Sequence, residues 1–147
     1  MRKLTLSLTL LILAACGGTE SDPEDALREW VARGEVAAEE KDRRGLLDMI
    51  SKDYADARGN DHERIGNILR AYFLRQQSIV LLTSIDDIIL SGSTAARIDL
   101  TVGMAGTRNN LPGFNADAYK FELELEKPDD DWLLIGARWS ELGGDLH

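Results

Sequence analysis

An α+β domain is what this sequence predicts: three N-terminal helices packed on a curved, cone-shaped, four-stranded antiparallel sheet. Three observations carry the expectation. Apolar residues recur with a helical period up to Phe73 and with a period of two after Gln77. Helical and strand segments are segregated along the chain, which argues for antiparallel pairing and not for alternating βαβ units. The strand segments run about nine to twelve residues, beyond the usual five or six, and long twisted strands curl into a hollow.

The helices come first. Asp22-Pro23-Glu24-Asp25 is a strong start, because aspartate caps free N–H groups, proline suits the first turn and acids favour the positive end of the helix dipole. Leu27, Trp30, Val31, Ala37 and Ala38 then share one face as far as Lys41, with Gly34 on the same stripe. Asp42 to Ile50 reads as a short second helix with Leu46, Leu47 and Ile50 inward. After a loop from Ser51 to Asn60, Asn60 and Glu63 stand at capping-box spacing, and Ile65, Ile68, Leu69, Tyr72 and Phe73 form an apolar stripe.

The strands follow. Ile79–Leu90 is rich in β-branched residues but does not alternate cleanly, and Asp86-Asp87 marks a bulge. Ile98, Leu100, Val102 and Met104 alternate with Arg97, Asp99 and Thr101. Tyr119, Phe121, Leu123 and Leu125 alternate with Lys120, Glu122, Glu124 and Glu126. The last strand, Trp132–Ser140, sets Leu133, Ile135, Ala137 and Trp139 on one face, leaving Trp132 and Leu134 on the polar one as a candidate dimer or partner patch.

The N-terminus gives an address. Arg2 and Lys3 precede Leu4–Ala15, twelve mostly apolar residues that reach about 18 Å as a helix, short of a bilayer core of about 30 Å. That is an export signal and not a spanning segment. Leu13-Ala14-Ala15-Cys16 resembles the lipobox of bacterial lipoproteins, which implies a thioether-linked lipid on Cys16 and cleavage before it; the alternative is an ordinary secretory peptide. The reading divides the chain into a signal peptide (1–15), a lipidated cysteine and tether (16–21) and one domain (22–147). Gly17 after the cysteine resembles the signal for transfer to the outer membrane, so the expected address is a lipid-anchored envelope protein facing the periplasm. The tether spans about 12 Å, keeping the domain close to the bilayer.

Cys16 is the only cysteine, so a mature, lipidated chain has no thiol for a disulfide, a thiolate metal site or a nucleophile. Of 17 basic residues, two belong to the signal, leaving 15 against 26 acids, a balance of −11. Nucleic acid would repel such a body.

Glu40-Lys41-Asp42, Gly45-Leu46-Leu47 before Asp53-Tyr54, Leu69-Arg70-Ala71-Tyr72-Phe73, and Trp132 with Gly136-Ala137-Arg138-Trp139 together resemble the nuclear transport factor 2-like superfamily, which includes SnoaL-like cyclases and ketosteroid isomerase-like enzymes. The resemblance implies a cone-shaped pocket, often with a homodimer through the sheet. It implies no one chemistry, since the superfamily holds enzymes and binders.

Catalysis in such a cone needs an inward acid or base opposite a tyrosine-type donor. Tyr54, Tyr72 and Tyr119 are the donors. Asp99, Glu122 and Glu124 fall on the polar strand face, paired with Arg97 or Lys120. The remaining catalytic candidates are Asp53, Asp56 and His62, with Tyr54 and Tyr72. No metal-ligand spacing or cofactor motif is present. The ten-residue connection Thr107–Ala116 is long for a hairpin and carries Leu111 and Phe114, a candidate gate over a pocket walled by Tyr54, Tyr72, Phe73, Tyr119 and Trp139. The expected function is non-catalytic binding of a small apolar ligand or a partner protein. An isomerase- or cyclase-like enzyme and a structural module dimerising through its sheet are the alternatives. Replacing Cys16 by serine is expected to abolish incorporation of labelled palmitate and to release the chain from the membrane fraction; a labelled, membrane-bound Cys16→Ser chain contradicts lipidation at this residue.

Overall fold

Each helix begins at an aspartate. In a computed structural model describing residues 22–108, 115–144 and 146, Asp22 caps α1 (Pro23–Glu39), Asp42 caps α2 (Arg43–Asp48) and Asp61 caps α3 (His62–Arg75). Their carboxylates accept from the N–H groups of Glu24 (3.1 Å), Gly45 (2.9 Å) and Arg64 (2.8 Å). The third cap is therefore one residue later than the Asn60 expected from its spacing to Glu63, because Asn60 is drawn inward to bond Asp56. Among the described residues no helix is long and apolar enough to cross a membrane.

Four strands follow as an antiparallel meander in the order β1-β2-β3-β4: β1 Gln76–Ser91, β2 Ala95–Arg108, β3 Asn115–Glu126 and β4 Leu133–Glu141. The α+β class and the helices-on-sheet arrangement are as the sequence predicts. β2 and β3 extend further than expected, so the connection of ten residues contracts to residues 109–114. The expected gate residues Leu111 and Phe114, like Cys16, lie outside the described residues.

Two register shifts set which residues face inward. In β1, Ile85 pairs with Leu100 and Asp87 with Asp99, leaving Asp86 as the extra residue. Inward positions jump from Ile85 to Ile88, which explains the broken alternation. In β4, Glu124 pairs with Gly136 but Leu125 pairs with Leu134, leaving Ile135 extra. A one-residue slip exchanges the two faces. Trp132 and Leu134 consequently turn into the core, and Trp132 is buried there; they form no outer patch.

The core is a seam between α1 and the middle of the sheet. Leu27, Trp30 and Val31 supply one helical face and meet Ile98, Leu100, Leu123 and Leu125. Leu27 and Ile98 are 0% exposed and Leu125 1%. By contrast α3 turns little apolar surface to the core and packs on α2: Ile65 reaches the core and Arg43 Nε donates to the carbonyl of buried Gly66 (2.7 Å), but Ile68, on the stripe expected to be inward, is 47% exposed.

Part of each open edge of the sheet is covered. Along β1, Glu39 accepts the Leu81 N–H (2.8 Å), Glu35 accepts the Thr83 hydroxyl, and Lys41 donates to the carbonyls of Gln76 (2.7 Å) and Gln77 (2.9 Å). Lys41 has φ +56°, a left-handed conformation costly for a side-chain-bearing residue and here held by those two bonds. Along β4, residues 49–55 act as a short parallel partner: Leu134 donates to Met49 O (3.0 Å), and Ser51 and Ala55 donate to Leu134 O (2.9 Å) and Ile135 O (3.1 Å). Gly136 permits this approach, because a Cβ there would stand 3.3 Å from Ala55 O. These contacts blunt the stretches of edge they reach, where unpaired backbone would otherwise be offered to another chain.

Candidate functional site

The alternation of β3 places Asp117, Tyr119, Phe121, Leu123 and Leu125 on the inner face, and the pairings Phe121↔Trp139 and Tyr119↔Glu141 continue it onto β4. At the Leu123–Leu125 end this wall is sealed by α1. Towards its other end it is not: Tyr119, Phe121 and Trp139 are only half-buried. Phe121 and Trp139 stack with ring centroids 6.3 Å apart, and Tyr119 tilts against Phe121 at 6.3 Å. Leu69, Tyr72 and Phe73 of α3 are likewise half-buried, with Tyr72 and Phe73 6.1 Å apart. Apolar and aromatic surface thus remains within reach of water where the helices stop covering the sheet.

The rim of this region is acidic. Asp117 stands opposite Met104 and Glu141 opposite Tyr119, so both carboxylates share the inner set with the tyrosine. Burial pushes the Tyr119 phenol above its ordinary pKa, and the charges of Asp117 and then Glu141 push it further. The phenol stays protonated at neutral pH and remains a hydrogen-bond donor.

The loop before α3 is organised around Asp56. Its carboxylate accepts from the backbone N–H groups of Arg58 and Asn60 (2.9 Å each), from Asn60 Nδ2 (2.9 Å) and from the Tyr54 hydroxyl (3.1 Å). Burial alone raises the Asp56 carboxyl, but the bonds from Asn60, Tyr54 and Arg58 outweigh it and hold the group below its ordinary value. Tyr54 is buried in the core, and its pKa is raised by burial, then by the Asp56 charge and the bond between them. A carboxylate with four donors and a phenol locked to it make a brace, with no free lone pair aimed at a substrate. The brace reaches the aromatic wall: the Arg58 guanidinium lies 4.3 Å above the Trp139 ring and donates to Trp139 O at 3.0 Å.

The other expected residues scatter. Asp53 is exposed beside the brace, its N–H donating to Ser51 Oγ at 3.2 Å. His62 lies in the first turn of α3 with Nε2 3.3 Å from both Leu47 O and Lys52 Nζ, so it can donate to one or accept from the other but not both. Tyr72 and Phe73 are on α3, and the structure does not gather Asp53, His62 and Tyr72 into one constellation. On the outer face Asp99 pairs with Arg97 at 3.3 Å, while Glu122 pairs with Arg138 on β4 and not with Lys120. Among the described residues no group of three or more His, Cys, Asp or Glu side chains is placed to share a metal ion. Sequence reasoning missed Asp117 and Glu141. Extending the parity of Tyr119 and Trp139 by two residues finds both, but the strands were expected to start at Tyr119 and end at Ser140.

No family model and no curated protein matches the sequence. Solved structures do match its shape. A scytalone dehydratase-like protein of Novosphingobium aromaticivorans superposes with a TM-score of 0.75 at 10% identity, covering 80% of this chain and 83% of its own. A nuclear transport factor 2-like superfamily protein of Salmonella enterica serovar Typhimurium gives 0.68 at 15% identity, covering 81% and 90%. The fold is nuclear transport factor 2-like. A hexachlorocyclohexane dehydrochlorinase of Novosphingobium barchaimii has the same nuclear transport factor 2-like architecture, with a TM-score of 0.69 at 10% identity over 84% of this chain and 89% of that one. Such identities carry the architecture and no residue role.

The Asp56 brace has a pH signature. A carboxyl held below its ordinary value stabilises the fold above the unfolded value, near 3.8, and that contribution is lost as pH falls through the folded value. Asp56→Asn is expected to lower the urea midpoint at pH 7, with the gap to the wild type narrowing below about pH 3.8. A gap constant from pH 7 to pH 3 contradicts the brace.

Proposed function

We propose that this chain is a lipid-anchored cell-envelope protein, held through Cys16, whose domain binds a small apolar ligand at the half-covered end of its inner wall without catalysing a reaction. The observation that supports the binding role is the aromatic ladder Tyr119–Phe121–Trp139, which is only half-buried. Stacked rings on a preformed wall offer a flat apolar ligand a large contact area with little ordering cost. The protonated Tyr119 phenol supplies one donor to orient it. Attachment to the outer membrane would place this wall close to a source of apolar molecules. Self-association through the outer face is compatible with the same reading: Val80 and Leu82 are exposed there beside Gly103, Ala105 and Ala118.

One observation favours an enzymatic second reading. Asp117 and Glu141 flank Tyr119 on the inner face, which sets ionisable carboxylates beside a neutral donor, the pairing that proton-transfer chemistry uses. The dehydratase-like and dehydrochlorinase relatives make that class of reaction the one to examine.

The test uses the full chain. Saturable binding of the neutral dye Nile red, weakened at least fivefold by Phe121→Ala with folding retained by circular dichroism, is the expected result. Unweakened binding by a folded Phe121→Ala chain removes the wall as the site. Mass spectrometry of material retained through gentle purification then separates the two readings. A compound recovered unaltered after incubation supports binding, whereas alteration by the wild type and not by Tyr119→Phe replaces it with catalysis.

A further inference from the structure

A second concavity lies away from the aromatic wall. It is a cleft of about 370 Å³ between α1, α2 and the turn leading into β4, within the size range of about 300–1,000 Å³ typical of small-molecule sites. Its charged lining is unusual for so acidic a chain. Arg33, on the exposed face of α1, makes no ion pair with any described residue, although acids outnumber bases 26 to 17. Asp131 on the turn and Asp48 on α2 line the same cleft, and among the described residues Asp48 is engaged only by Arg44 at 4.0 Å across the helix surface. Between these charges the lining is apolar, from Ala37, Met49 and Leu133.

Trp132 also lines the cleft. It is 5% exposed, and its indole N–H has no acceptor among the described residues. Buried donors are almost always paired, so an unpaired one marks a place where an added acceptor is favourable. That N–H is buried from solvent. The unbranched Met49, whose Cε stands 3.5 Å from where a Cβ on Gly34 would be, is the adaptable side chain of the same lining.

We propose that this cleft binds a free α-amino acid with an aliphatic side chain. Arg33 and the Trp132 N–H take the carboxylate, Asp48 and Asp131 take the ammonium, and Ala37, Met49 and Leu133 receive the side chain. A simple carboxylate leaves the two aspartates unanswered, and a simple amine leaves Arg33 and the indole unanswered. Only a ligand with both charges complements the lining. This assignment is independent of the inner-wall site.

Calorimetric titration of the full chain tests it with three ligands of similar size: leucine, 4-methylpentanoate, which lacks the ammonium, and leucinamide, which lacks the carboxylate. Leucine is expected to bind one to one, and each truncated ligand at least tenfold more weakly. Arg33→Met, at an exposed position, is expected to weaken leucine at least tenfold at unchanged melting temperature. Trp132→Phe keeps the ring, removes only the donor and is expected to weaken leucine about fivefold, while Phe121→Ala on the other site leaves it unchanged. Absence of leucine binding, equal binding of 4-methylpentanoate, or full affinity in Arg33→Met overturns the proposal.

Discussion

The dry seam where Leu27 meets Ile98 and Leu125 is the constraint on which the rest of this structure depends. Each of these side chains, fully removed from water, contributes about 1.5–3 kcal/mol, and together they pin α1 to one half of the sheet. Because α1 is committed there, its acidic flank lies along β1, where Glu35 and Glu39 reach the strand. Beyond α1, Tyr119, Phe121 and Trp139 are only half-buried, while α3 packs on the core through Ile65 and leaves Ile68 in water. One half of the inner face is therefore buried, and the other is half-buried. The functional reading follows from that asymmetry, not from any single reactive group.

Polar residues that look chemical on paper are largely spent on holding this arrangement. Asp56, the best-placed acid in the loop before α3, is saturated by four donors and braces Tyr54. Arg58 extends the brace to Trp139, so the loop fixes the orientation of one ring of the wall. On the outer face, Arg97 with Asp99 and Arg138 with Glu122 cancel charge across the sheet surface. Among the described residues, Asp117 and Glu141 at the wall's rim, and Arg33 with Asp131 at the second cleft, are charged groups that form no ion pair.

Much of the architecture was legible because it is written in local periodicity. Asp22, Pro23 and the spacing of Leu27, Trp30 and Val31 specify α1, and the parity of β3 specifies the aromatic wall. Asp86-Asp87 even announces the β1 bulge. The β4 bulge was not legible, because Leu133, Leu134 and Ile135 are all apolar and either parity reads as a strand. Its position depends on how residues 49–55 pair with the edge, a tertiary matter, and it turned Trp132 and Leu134 inward. Asn60 and Asp61 were interchangeable as caps until Asp56 drew Asn60 into the loop. The extent of β2 and β3 was concealed by Gly106 and by the polar residues around 115–117, and with it went Asp117.

The central claim is that the inner wall stays open beside Tyr119, Phe121 and Trp139 and takes an apolar guest there. The most direct measurement is a crystal structure of the full chain as purified from its own cells, without added ligand. The account predicts electron density for a non-protein molecule lying against the Phe121 and Trp139 rings. Protein side chains filling that space to close packing, with no room for a guest, would contradict it.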